Sequence, residues 1–221
     1  MDEHEQLLIE WQNEEHHRNK TFIKDGIIDI NKWNSTPRKI LFILREAYGE
    51  KNGDDFDLRK LIRDEWKGPK YKMWRIISYI AYAIQHSSCH SIPQRPEDTT
   101  AYSMAKDALF SSAVINVKKS DGNSSSKPEE IAWYAKTDGI FIKRQIELIN
   151  PHIIICGNVW QALKHLWPES TNIYGLIWMI NKTYVVDYYH PANHWPHDLN
   201  YYPIACMLQN TGAFGKCEYG N

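Results

Sequence analysis

The sequence predicts a three-layer α/β/α sandwich with a mainly parallel central sheet. Three observations point there. Short apolar runs of strand length recur along the chain: KILFILR (39–45), AVINV (113–117) and HIIIC (152–156). Stretches with apolar residues at helical spacing separate them, and that alternation is the pattern of βαβ units. Each run is apolar throughout rather than alternating, as expected for strands buried on both faces.

Taken in order, residues 3–18 read as a helix with Leu7, Leu8 and Trp11 on one face. A loop-rich lead-in to residue 37 follows, then the strand 39–45. The polar stretch REAYGEKNGDD comes next, with helices near 56–66, 70–86 and 99–109. Within 70–86, Trp74, Ile77, Ile80, Ala81 and Ile84 form one apolar face. After AVINV the chain runs into KKSDGNSSSKP. Ser126 and Glu129 have capping-box spacing, which predicts one long helix to Asn150, stopped by Pro151. The strand HIIIC, a helix from VWQALKHLW, strands at 176–180 and 183–189 joined at Asn181–Lys182, and a helix over 197–210 complete the chain. No repeat or composition break divides it, so 1–221 reads as a single domain.

Composition narrows the function classes. The 221 residues are 43% hydrophobic and 24% charged, as in an ordinary globular protein, with no run approaching the roughly 18 apolar residues of a membrane span. The N-terminus is acidic, unlike a signal peptide, and the four cysteines include no CxxC pair. A cytoplasmic protein with reduced thiols is the expectation. A net charge of −1 argues against a histone-like nucleic-acid binder. Charge is nonetheless uneven: residues 1–15 hold six acids and no Lys or Arg, whereas 59–75 hold seven basic residues against two acids. The basic run fits either a solvated helix face or a phosphate-binding flank. Neither GxGxxG nor GxxxxGK[ST] occurs, which removes the common nucleotide-binding motifs.

In a parallel sheet, ligands bind beyond the carboxyl ends of the strands. Three polar loops occupy that position: 45–56, 118–126 and 190–197. The first supplies a carboxylate, Glu46, just past a buried strand. The second opens with Asn116, whose amide offers both donor and acceptor to the edge of a base. The third begins His190-Pro191-Ala192-Asn193, where a His fixed by a following Pro can donate to a developing anion. Each has a plainer alternative: a carboxylate capping a helix, an amide satisfying loop backbone, a packed imidazole.

These segments resemble, in order, motifs of the uracil-DNA glycosylase superfamily. ILFILREAYGE resembles its first motif, AVINVKKSDGN the Thr-Asn-Val-Val-Lys segment of its iron–sulfur branch, IFIKRQIELINPHIIICGNVWQAL that branch's helix–Pro–strand–Gly–helix stretch, and YYHPANHW its His-Pro-Ser loop. The resemblance runs from about residue 38 to 197. It implies a DNA glycosylase that flips a base from the duplex and hydrolyses its bond to the sugar. Glu46 would be the carboxylate beneath the sugar and His190 the donor to the leaving base, and the water would be handled by Glu46, Glu50 or one of Asp54 and Asp55. Asn116, Phe56 and Gly49 would surround the base, and Lys118, Lys119, Ser120, Asn193 and Trp195 would contact DNA. Trp195 would act as the wedge that fills the vacated stack.

Several positions depart from the family pattern. Arg45 stands for its Gly, Tyr48 for its Pro and Ala192 for its Ser, and the cysteines lack the cluster spacing. No metal and no cofactor are expected, and the partner is DNA, engaged by a monomer. The implied base is uracil or, with Gly49 opening the wall, a bulky 5-modified cytosine such as the glucosylated hydroxymethylcytosine of phage DNA, removed in antiviral defence. Two alternatives stay open. One is a non-catalytic nucleic-acid-binding module on the same fold. The other is a zinc enzyme using His190, His194 and His197, or His86, Cys89 and His90, although Pro191 and Pro196 disfavour a helix through the first trio.

Overall fold

The computed structural model describes residues 2–47, 56–64, 72–96, 101–120, 122 and 126–215. Its centre is a mixed sheet of seven strands in the order β2-β5-β3-β6-β9-β8-β7. The four middle strands, β5 (Ala113–Lys118), β3 (Ile40–Glu46), β6 (Ile153–Gly157) and β9 (Thr183–Tyr188), are mutually parallel. β2 (Gly26–Ile27) adds antiparallel to β5 at one edge. At the other edge, β8 (Ile177–Ile180) and β7 (Thr171–Tyr174) form an antiparallel meander with β9. Asn181, in the left-handed region at φ 52°, serves the tight turn between β8 and β9.

Helices cover both faces. Ile40, Phe42 and Leu44 of β3 join one apolar cluster, and Leu41 and Ile43 join the other. That division explains the unbroken apolar run in the sequence. The first face carries α3 (Leu58–Asp64), α4 (Lys72–His86), α5 (Ala101–Phe110) and α9 (His197–Asn210). The second carries α1 (Glu3–Gln12), α2 (Ile30–Ser35), α6 (Pro128–Thr137), α7 (Gly139–Ile149) and the short α8 (Trp160–Leu163). The arrangement is that of a three-layer α/β/α fold. Among the described residues no helix is long and apolar enough to cross a membrane.

Three expectations change. The helix expected over 3–18 ends at Gln12 and is followed by a separate 3-10 turn, Glu15–His17. The long helix expected from Ser126 is two helices. Its N-cap is Lys127, with Pro128 at the first helical position, and the capping box does not form. Asp138 breaks the run, and Gly139 begins α7 where a Cβ would stand 2.5 Å from Leu166 Cδ2. The lead-in also holds strands that its sequence does not announce: β1 (Ile23–Lys24) pairs in parallel with β4 (Phe56–Asp57), beside β2.

The lead-in is fastened by a buried polar knot. Asp25 and Lys119 are both fully buried, with Lys119 Nζ 2.5 Å from Asp25 Oδ1 and 2.9 Å from Gln145 Oε1. Asp25 Oδ2 accepts from the Asn116 backbone N–H at 2.8 Å and from its side-chain amide at 3.3 Å. The Lys119 ammonium also lies 4.7 Å from the centre of the Trp11 ring. Burial pushes the Lys119 ammonium below its ordinary value, against the opposing pull of Asp25. Removing one partner of such a pair strands a buried charge. Lys119→Met should therefore cost about 3–5 kcal/mol in urea unfolding, and adding Asp25→Asn to it should restore part of that loss.

Candidate functional site

The chain leaves β3 toward helices on the first face and leaves β6 toward α8 on the second. Neighbouring strands whose connections diverge in this way open a crevice at their carboxyl ends. Glu46 closes β3 at this point, with Gly157 at the end of β6 beside it and His190 two residues past β9.

The Glu46 side chain is 2% exposed. Its Oε2 receives Lys118 Nζ at 3.0 Å, and Oε1 is buried with no hydrogen-bond partner among the described residues. A buried carboxylate oxygen without a partner is uncommon among folded proteins. Lys118 stands opposite Glu46 in the β3–β5 register and also reaches Glu130 Oε1 at 2.8 Å. Burial lowers its pKa, but the hydrogen bonds to Glu130 and Glu46 and their charges outweigh burial and hold it above the ordinary lysine value. Gly122 completes the wall, because a Cβ there would come within 2.7 Å of Glu46 Cγ and of the Ala47 carbonyl oxygen.

His190 is half-buried. Its Nδ1 accepts the Ala192 backbone N–H at 3.1 Å, so the neutral ring carries its proton on Nε2. Burial, then the nearby Arg45 charge, pushes its pKa down to about 4. At neutral pH the ring is thus an uncharged Nε2–H donor. Its loop is tied to α9 by reciprocal amide bonds between Asn193 and Asn200 at 2.8 and 3.1 Å, and by Asn193 Nδ2 donating to the His190 carbonyl at 3.1 Å. Gly157 lets this loop come close to β3. A Cβ at that position would stand 3.0 Å from Leu44 Cδ2 and 3.2 Å from Pro191 Cδ.

The structure therefore sets Glu46 and Lys118 at the ends of neighbouring strands β3 and β5 and the His190 loop at the end of β9, with β6 between them, and it withdraws other expected residues. Lys119 and Ser120 are fully buried, the first against Asp25 and the second with its hydroxyl 2.9 Å from the Tyr134 hydroxyl, so neither is offered to a phosphate. Lys118, 5% exposed between two carboxylates, orients Glu46 instead of meeting DNA. Asn116 is 1% exposed and turns its amide to Asp25, away from any base edge. Asn193 spends its hydrogen bonds within its loop and on Asn200 of α9. Trp195 is partly buried, edge-on to Tyr189 at 4.4 Å, which makes it a packed residue rather than a free wedge. Phe56 is half-buried in β4 against Ile23 and joins the first-face cluster that Ala47 also touches. Gly49, Tyr48, Glu50, Asp54 and Asp55 lie outside the described residues. In the basic run, Arg59 is held by Asp57 and Glu5, and Arg63 pairs with Asp64.

Sequence reasoning missed Tyr189, which is 53% exposed and adjacent to His190, and it treated Arg45 only as a departure from a pattern. It also missed a third grouping. Among the described residues, the His, Cys, Asp and Glu side chains with converging ligand atoms are His16, His17 and Asp138; neither of the two trios weighed from sequence converges. A scan against protein-family models and a search of curated proteins matched nothing to this chain.

The His190 environment has a consequence for stability. Below pH 6.5 the unfolded imidazole takes up a proton that the folded ring refuses until about pH 4. Stability should fall as pH drops through that window and change no further from this source below it. His190→Asn keeps an acceptor near the Ala192 N–H but does not titrate. Urea unfolding at pH 7 and pH 4.5 should show a smaller loss for His190→Asn than for the parent; equal losses would remove the buried-neutral assignment.

Proposed function

We propose that this protein is a DNA glycosylase with a uracil-DNA glycosylase-like fold, hydrolysing the bond between a flipped pyrimidine and its sugar. The observation that carries the reading is two groups at the carboxyl edge of one parallel sheet: a buried carboxylate with one oxygen that has no partner among the described residues, and a neutral imidazole with a fixed Nε2–H. The reaction needs both. As the base leaves, positive charge develops on the sugar and negative charge on the base. Glu46 Oε1 stabilises the first and orients the attacking water. As the bond from the anomeric carbon to the base nitrogen breaks, its electron pair leaves on the base. The water oxygen bonds to that carbon, and its proton passes to Glu46 and from there, through solvent, to the released base. The Nε2–H of His190 stabilises the leaving base, and a preorganised neutral donor does so without first losing a proton.

The order of the four motif-like segments supports the same reading, and so does the α/β/α layering. Tyr189, exposed beside the His loop, is an aromatic surface on which a base can stack. The substrate is uracil or a bulky 5-modified cytosine, the latter implying action on phage DNA. The protein works as a monomer in the cytoplasm, and the glycosidic step itself uses no cofactor.

A second reading is a non-catalytic nucleic-acid-binding module. The engagement of Asn116 with Asp25 favours it, because the residue expected to read the base is turned inward.

Labelled oligonucleotides carrying uracil, hypoxanthine, 5-hydroxymethylcytosine or its glucosylated form separate the two readings. The parent protein should leave alkali-labile sites at one of these bases. Glu46→Gln should lower the rate by about 10²–10⁴-fold and His190→Asn by about 10²–10³-fold, with unfolding midpoints retained. DNA binding with no base released from any of the four would favour the module.

A further inference from the structure

Asp138, at the junction of α6 and α7, has a fully buried carboxylate. The interior lysines nearby are committed elsewhere: Lys119 to Asp25, and Lys118 to Glu46 and Glu130. What faces Asp138 is a pair of consecutive imidazoles. His16 Nε2 lies 2.6 Å from Oδ1, and His17 Nε2 lies 3.1 Å from Oδ2. The 3-10 turn Glu15–His17 sets the two rings 4.2 Å apart, so both Nε2 atoms converge on one carboxylate.

We propose that His16, His17 and Asp138 bind a zinc ion. One ligand atom from each residue lies within 4.8 Å of the others, and an ion would enter by replacing the two imidazole–carboxylate hydrogen bonds, with the 2.6 Å His16–Asp138 contact opening to admit it. Two imidazoles and a carboxylate form a borderline-soft N₂O set of the kind zinc selects. The His16 side chain is 20% exposed while His17 and Asp138 are closed off, which leaves one side for entry and for a water as fourth ligand. Phe22, Trp133 and Tyr134 wall the remainder.

A further feature points to a cation. A buried carboxylate requires compensating charge, and no Lys or Arg pairs with Asp138 among the described residues. The ion would join the segment after α1 to the α6–α7 junction. That position is separate from Glu46 and His190, and the proposal does not depend on the glycosylase reading.

The test uses untagged full-length protein, stripped with chelator and titrated with zinc, with elemental analysis of the reloaded protein. The expected result is one zinc per chain and a rise in Tm of about 5 °C or more at a large excess of zinc over Kd. His16→Ala, at the partly exposed ligand, should fold and lose most of both effects, while His190→Asn should keep them. The proposal is overturned if the parent takes up no zinc, if His16→Ala retains full stoichiometry and shift, or if only His190→Asn abolishes binding, which would assign the ion to the other histidines.

Discussion

Two consecutive lysines at the end of β5 organise this molecule. Lys118 closes the strand and Lys119 follows it, and the two ammonium groups go to different carboxylates. Lys119 enters the interior to meet Asp25, and that contact lies in the lead-in segment, which runs antiparallel along β5 from Ser120 back to Ala113. The backbone follows: Ile23 donates its N–H to the Lys119 carbonyl, and Phe56 then pairs with Ile23. Lys118, next to it, lies between Glu46 on β3 and Glu130 on α6. Two buried ion pairs thus stand side by side, and the second holds the carboxylate of the candidate site. The balance is local. Both lysines have an anion within hydrogen-bond reach, as burial in a low-dielectric interior demands.

The other wall of the crevice is built from neutral parts. Its His190 loop is held by a reciprocal amide pair to α9 and by a backbone N–H that selects one imidazole tautomer. A charged group on one side and an uncharged donor on the other is a division of labour suited to a bond that separates charge as it breaks. Arg45 contributes from a distance. It follows Leu44 on β3, and its charge helps keep His190 unprotonated.

Much of the fold is legible in the sequence because burial on both faces leaves a strong signal. The runs 39–45, 113–117 and 152–156 are strands within a residue or two of their expected ends, and the final helix covers His197–Asn210 as read. The helix break at Asp138 was hidden because its cause is tertiary: two histidines more than a hundred residues away claim the carboxylate. The strands of the lead-in are two residues each, too short for any periodicity to register. For the site, position was readable and direction was not. Glu46 and His190 reach the crevice because they follow strands. Lys119, Ser120 and Asn116 look identical to surface residues in sequence, yet Asp25 and Tyr134 draw them inside.

Gly157 has a consequence for how this chain can change over generations. Its missing side chain is the clearance between Leu44 on one strand and Pro191 on the loop after another. A side chain at 157 would press on both, and it is accommodated only as far as Leu44 or the loop at Pro191 gives by a few tenths of an ångström. Positions 44, 157 and 191 therefore share one small volume, and a change at any of them alters what the other two can become.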